Sequence, residues 1–165
     1  MENNTNMLTL LLKNGFIALG VHVCLCLITM GIIIGILPLI NASMVVSSVV
    51  AVFCGIISLY LYFWVGKRYL QNTMNVMMDF TTVLGLLNLL IISVILIGGM
   101  SIFSLWSFFW VVFENSGAVY DPTDRLIHGL ILAPAPSFMM WIGMIVKRKK
   151  AEAEEEKEQN YGKLY

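Results

Sequence analysis

Apolar residues fill four long stretches of the chain, at 15–38, 42–66, 80–100 and 126–146, and polar residues gather between them. Each stretch is near the ~20 residues that an α-helix needs to cross a hydrocarbon layer. A helix that is apolar on every side is one whose whole circumference avoids water, in a large core or in lipid. The pattern predicts an all-α integral membrane protein built as a four-transmembrane-helix bundle over residues 15–146. A cytoplasmic segment at 1–14 precedes the bundle and a charged cytoplasmic tail at 147–165 follows it.

The polar interruptions set the connections. Pro38 closes the first helix, because proline removes an amide donor and restricts the residue before it. Residues 39–43 then make a tight outer turn that folds spans one and two into an antiparallel hairpin. Asn41-Ala42-Ser43 matches a glycosylation acceptor but lies too close to the apolar stretches to be credited. An inner loop runs from Lys67 to Asp79; its Tyr69, Met74, Met77 and Met78 predict a half-buried stretch rather than a free linker.

Span three weakens at Gly98-Gly99-Met100-Ser101, and 102–113 is crowded with aromatic residues. Joined to span three it would give a helix of ~50 Å, too long for a ~30 Å core. The segment between helices 3 and 4 is therefore expected to lie in the interface or to re-enter the layer, with Trp106 and Trp110 in an aromatic belt. Asp121, Pro122 and Asp124 read as the start of span four, through capping, a proline at the first helical position and the helix dipole. Pro134 and Pro136 fall in mid-span and predict a kink, since they strand the carbonyls of Leu130 and Leu132.

Composition supports lipid over a soluble core. Hydrophobic residues make up 59% of the chain and charged residues 12%, against about a quarter charged in soluble domains. That leaves too little polar sequence to coat a core holding four apolar stretches. Net charge is zero, yet Lys13, Lys67, Arg68, Lys147, Arg148, Lys149 and Lys150 all fall at helix ends that share one side. The opposite side holds Arg125 with Glu114, Asp121 and Asp124. Basic residues near helix ends resist translocation, so both termini are expected in the cytoplasm of a cell carrying this multi-pass protein in its membrane. The first apolar run exceeds the ~7–15 residues of a secretory leader and is expected to be retained. Cys24, Cys26 and Cys54 fall within spans and read as small packing residues, not disulfides.

Helices in lipid associate through small residues and interhelical hydrogen bonds. Gly31 and Gly35 form a GxxxG in span one. Ser47, Ala51 and Gly55, with Ser43, lie at four-residue intervals on one stripe of span two. Gly129, Ala133 and Ser137 repeat the device in span four, and Thr81, Gly85 and Asn88 line span three. These stripes suit one bundle and equally permit a homo-oligomer.

His22 and Asn88 are the candidate polar residues within the membrane. His22 shares a helical face with Cys26 and so could offer two ligands to a soft metal. Two ligands do not close a site, and the simpler reading is a neutral His hydrogen-bonded to another helix through Asn88 or Tyr60. Asp121, Asp124, Arg125 and His128 form a candidate cluster at the outer end of span four. It reads either as a pH- or cation-sensing site or, more simply, as a capped helix end with a local ion pair. No carboxylate lies deep in a span, which argues against a proton-coupled pump. No catalytic or cofactor-binding motif is present, and the basic cluster at 147–150 abuts a span and precedes acids, which disfavours nucleic acid. The expected partners are the lipid bilayer and either a membrane protein or a second copy of the chain. The expected role is a non-enzymatic accessory or immunity-type protein acting through helix–helix contacts. The alternative is a small-solute or ion transporter subunit using the Pro-kinked fourth helix.

Overall fold

The computed structural model describes residues 2–73, 75–98 and 134–162. Among them the protein is all-helical. Helix α1 (Glu2–Met30) runs on through a π-helical stretch (Gly31–Ile36) into the short α2 (Leu37–Leu39). Then come α3 (Met44–Arg68), α4 (Val76–Gly98) and α5 (Ala135–Gly162). By length and composition, Met7–Leu39 and Val45–Arg68 are each apolar and long enough to cross a membrane. The aromatic segment at 102–113 and the start of span four lie outside the described residues.

Pro38 explains the change of helical type. Its ring clashes with the carbonyl four residues back, and a widened π turn relieves that crowding. The helix ends two residues later in a Schellman closure: Asn41 takes the left-handed conformation at φ 48°. Its N–H donates to Pro38 O at 3.1 Å, and the Ala42 N–H donates to Leu37 O at 3.1 Å. Asn is one of the few residues that adopts this backbone at low cost. Ser43 then caps α3, its Oγ accepting from Val46 N at 3.4 Å. Lys67 and Arg68 occupy the last turn of α3, where positive charge interacts favourably with the negative end of the helix dipole, and the Arg68 guanidinium lies 5.9 Å from the centre of the Trp64 ring.

Although α1 and α3 are joined by this tight turn, their main contacts are with other helices. Helix α5 packs chiefly against α3, α1 chiefly against α4, and α4 meets α5. The closest approach is between α3 and α5. A Cβ on Gly66 would overlap the Met140 carbonyl, and one on Gly143 would overlap the Phe63 carbonyl. Ala51 is buried at the same helix face, as is Gly55, while Ser47 is half-buried. Gly31 and Gly35 lie in the π-helical stretch on an exposed face, and nothing comes within 4 Å of where their Cβ atoms would be. Among the described residues the GxxxG of the first span thus faces away from the bundle, and the pair that brings two backbones together is Gly66 with Gly143.

Helix α5 continues without a break from the bundle through 147–150 and into the acidic tail. Ala, Glu and Lys are strong helix formers, and Lys150 pairs with Glu154 at 3.6 Å, one turn on.

Gly66→Ala and Gly143→Ala should each destabilise the purified chain by about 1–3 kcal/mol or more, as overpacking does. Gly31→Ala should stay within about 1 kcal/mol of the parent. Thermal unfolding of the three variants side by side distinguishes the two glycine pairs.

Candidate functional site

Two polar clusters sit inside the helical assembly. The larger is built around the loop between α3 and α4, and it gathers three separated basic segments at one end of the molecule. Asp79, in the first turn of α4, is fully buried. Its Oδ1 accepts from Thr73 N at 2.5 Å and from the Thr73 hydroxyl at 2.8 Å. Its Oδ2 meets Arg148 Nη2 at 2.5 Å and accepts more weakly from Asn72 Nδ2 at 3.4 Å. Charge-assisted bonds of this kind are roughly twice as strong as neutral ones. They answer a real need, since a buried carboxylate without partners costs several kcal/mol.

The same loop is tied down on both flanks. Asn14 of α1 forms a double hydrogen bond with the backbone of Gln71, donating to its carbonyl at 2.9 Å and accepting from its N–H at 3.0 Å. Asn14 Nδ2 also donates to Thr82 Oγ1 at 3.2 Å. From α5, Lys147 donates to Leu70 O at 2.9 Å, Arg148 to Thr73 O at 2.8 Å, and Trp141 to Val76 O at 3.1 Å. Asn72 returns a bond to Met144 O at 2.9 Å. A loop outside a helix or sheet must satisfy its backbone groups individually, and here side chains from α1 and α5 do so. The apolar anchor is Leu70, which is fully buried.

The second cluster lies deeper. His22 Nδ1 is 2.9 Å from the Tyr62 hydroxyl, and the two rings stack with centroids 6.1 Å apart. Cys26 Sγ stands 3.7 Å from His22 Nε2. One helix pair away, Ser137 donates to Asn88 Oδ1 at 3.1 Å. His22, Tyr62, Asn88 and Ser137 are all buried.

These positions compare with the sequence reading as follows. His22 meets Tyr62 rather than Asn88 or Tyr60; Tyr60 is 62% exposed. Asn88 pairs instead with Ser137. Pro134 stands in a turn ahead of α5, and Pro136 lies in its first turn, where proline is well tolerated. The residues upstream, on which the expected kink depends, lie outside the described residues. So do Asp121, Asp124, Arg125 and His128. The sequence reading missed Asn14, Asn72, Thr73 and Arg148. One signal was available for Tyr62 and Gly66: extending the Ser47, Ala51, Gly55 stripe at helical spacing passes through Ser58, Tyr62 and Gly66.

For metal chemistry, the described residues hold no group of three or more His, Cys, Asp and Glu side chains able to take an ion. Cys24, Cys26 and Cys54 form no disulfide with one another. The hydrogen bonds of both clusters run between helices and brace them against one another. Comparison with family models, with curated proteins and with solved structures finds no match.

Asp79→Ala should destabilise the chain by about 3 kcal/mol, because it leaves the half-buried Arg148 guanidinium without its counter-charge and Thr73 N without its acceptor. Asp79→Leu combined with Arg148→Met should recover most of that loss. Thermal unfolding together with amide exchange at Gln71 and Thr73 reads the result; a double variant no better than the single one would reject the coupling.

Proposed function

We propose that the chain is a four-span, multi-pass membrane protein with both termini in the cytoplasm. It works without catalysis, as an accessory or immunity-type protein that holds a membrane partner through helix–helix contacts. The observation that carries this reading is the division of labour between inside and outside. The buried polar side chains bond to one another and to backbone groups within the molecule, whereas the outward face of α3 offers Val45, Val49, Val52, Phe53, Ile56 and Ile57, all exposed. An exposed row of this kind, on a helix long enough to span, suits lipid and a partner helix and suits water poorly. The topology is supported by the convergence of Lys13–Asn14, Lys67–Leu70 and Lys147–Arg148 at one end of the molecule. Basic residues collected at one end of a bundle belong on the cytoplasmic side.

The second reading, a subunit that carries a small solute or ion, draws on the buried Asn88–Ser137 pair beside Pro136. Buried polar groups next to a break in a helix line many transport paths. It is the weaker reading because both partners of that pair are already occupied by each other.

Photo-crosslinking groups placed at Val49 and Phe53 should join the chain to one discrete membrane protein or to a second copy of itself. Adducts with lipid alone at both positions would reject the partner reading. In parallel, Asn88→Leu with Ser137→Ala should leave that crosslinking within about twofold of the parent. A carrier subunit would instead lose flux in a proteoliposome assay. A reporter fused after Tyr165 should be active only on the cytoplasmic face.

A further inference from the structure

Where α5 leaves the bundle, a cavity of about 390 Å³ opens between it and the inner loop. This is within the ~300–1,000 Å³ typical of sites for small molecules. Its wall carries charge of both signs in a fixed order: Lys147 and Arg148 at the level of the loop, then Glu152 and Glu155 further along α5. Arg148, Glu152 and Glu155 share a helical face, being four and seven residues apart. The first step from cation to carboxylate is ~6 Å along the axis.

The wall has unspent hydrogen-bonding capacity. Lys147 gives one of its three donors to Leu70 O. Arg148 Nε and Asn72 Oδ1 are buried without a hydrogen-bond partner among the described residues. Unmet donors and acceptors of this kind are unfavourable. Both atoms lie beneath the cavity surface, so the donors it offers are the remaining N–H groups of Lys147 and Arg148, which suit an anionic group. Glu152 and Glu155 are exposed, and the neighbouring Glu154 is paired with Lys150.

We infer that this cavity holds a zwitterionic lipid headgroup with a phosphate and a primary ammonium, that of phosphatidylethanolamine. The phosphate lies against Lys147 and Arg148, and the ammonium reaches Glu152 and Glu155. The order of charges matches the order of groups in the lipid: the phosphate is next to the acyl chains, and the cations are on the bundle side of the cavity. A quaternary ammonium has no N–H to donate to the carboxylates and favours aromatic walls, which this cavity lacks among its lining residues. A purely anionic headgroup would meet repulsion from Glu152 and Glu155. The assignment rests on the membrane topology proposed above.

The test uses the full chain purified in mild detergent and titrated with phosphatidylethanolamine, phosphatidylcholine and phosphatidylglycerol, with bound lipid counted by native mass spectrometry. Two exposed carboxylate contacts predict a preference of about fivefold for the ethanolamine lipid. Glu152→Gln with Glu155→Gln should cut it to within about twofold, and Glu154→Gln with Glu156→Gln should leave it intact. Equal binding of the three lipids, or a preference that survives the first pair of substitutions, overturns the assignment. Soluble glycerophosphoethanolamine binding as tightly as the lipid would overturn the lipid source and place a free zwitterion in the cavity. A chain that remains monodisperse in buffer without detergent would overturn the membrane topology itself, an outcome distinct from loss of lipid preference.

Discussion

Asp79 is a carboxylate with no exposure to solvent, and the inner end of the molecule is arranged around that fact. Removing such a group from water is costly, and only dense hydrogen bonding with a close opposite charge offsets the cost. Residues Tyr69 to Thr73 curl so that Thr73 and Asn72 point donors at the carboxylate, while Arg148 arrives from a helix far away in sequence. Each of these contacts also fixes a piece of backbone. Arg148 binds the Thr73 carbonyl as well as Asp79, and Asn72 binds the Met144 carbonyl as well as Asp79. The carboxylate thereby locks α3, α4 and α5 into one register.

A second constraint acts between the backbones themselves. Helices α3 and α5 cross so closely that neither Gly66 nor Gly143 has room for a side chain. Close approach of this kind multiplies dispersion contacts and replaces the hydrophobic driving force that helices lack when apolar surroundings cover their outer faces. Gly66 immediately precedes Lys67 and Arg68, so the crossing and the start of the pinned loop are separated by a single turn. Steric fit at the crossing and ionic fit at the loop thus reinforce the same helix pair.

Much of the helical layout was legible in the sequence because length and apolar content are local properties. The second apolar stretch, at 42–66, corresponds to α3 at Met44–Arg68, and the turn at Pro38 to Ser43 follows from proline and serine chemistry. The cross-braces were not legible in the same way. His22 could be seen to need a partner, but Tyr60 and Tyr62 are nearly level with it, counting back from the turn. Only the rotation of α3 decides between them, and that is set by Gly66 against Met140. Arg148 was harder still. Within the run Lys147-Arg148-Lys149-Lys150 nothing local separates the two residues that reach inward from the two that face solvent, because their acceptors, the Leu70 carbonyl and Asp79, lie 77 and 69 residues away. The cluster at Asp121, Asp124, Arg125 and His128 lies outside the described residues.

Helix α5 has a mechanical consequence. It is one rod of 28 residues, ~42 Å at 1.5 Å per residue, gripped near its middle by Lys147 and Arg148. Its inner arm ends at Ser137, hydrogen-bonded to Asn88, and its outer arm is a column of exposed carboxylates. The inner arm is clamped along its length, by the Gly66–Gly143 crossing, by Trp141 on Val76 O and by Ser137 on Asn88, while the outer arm projects past the Asp79 latch without such contacts among the described residues. A load on the outer arm therefore reaches the latch before it reaches the crossing.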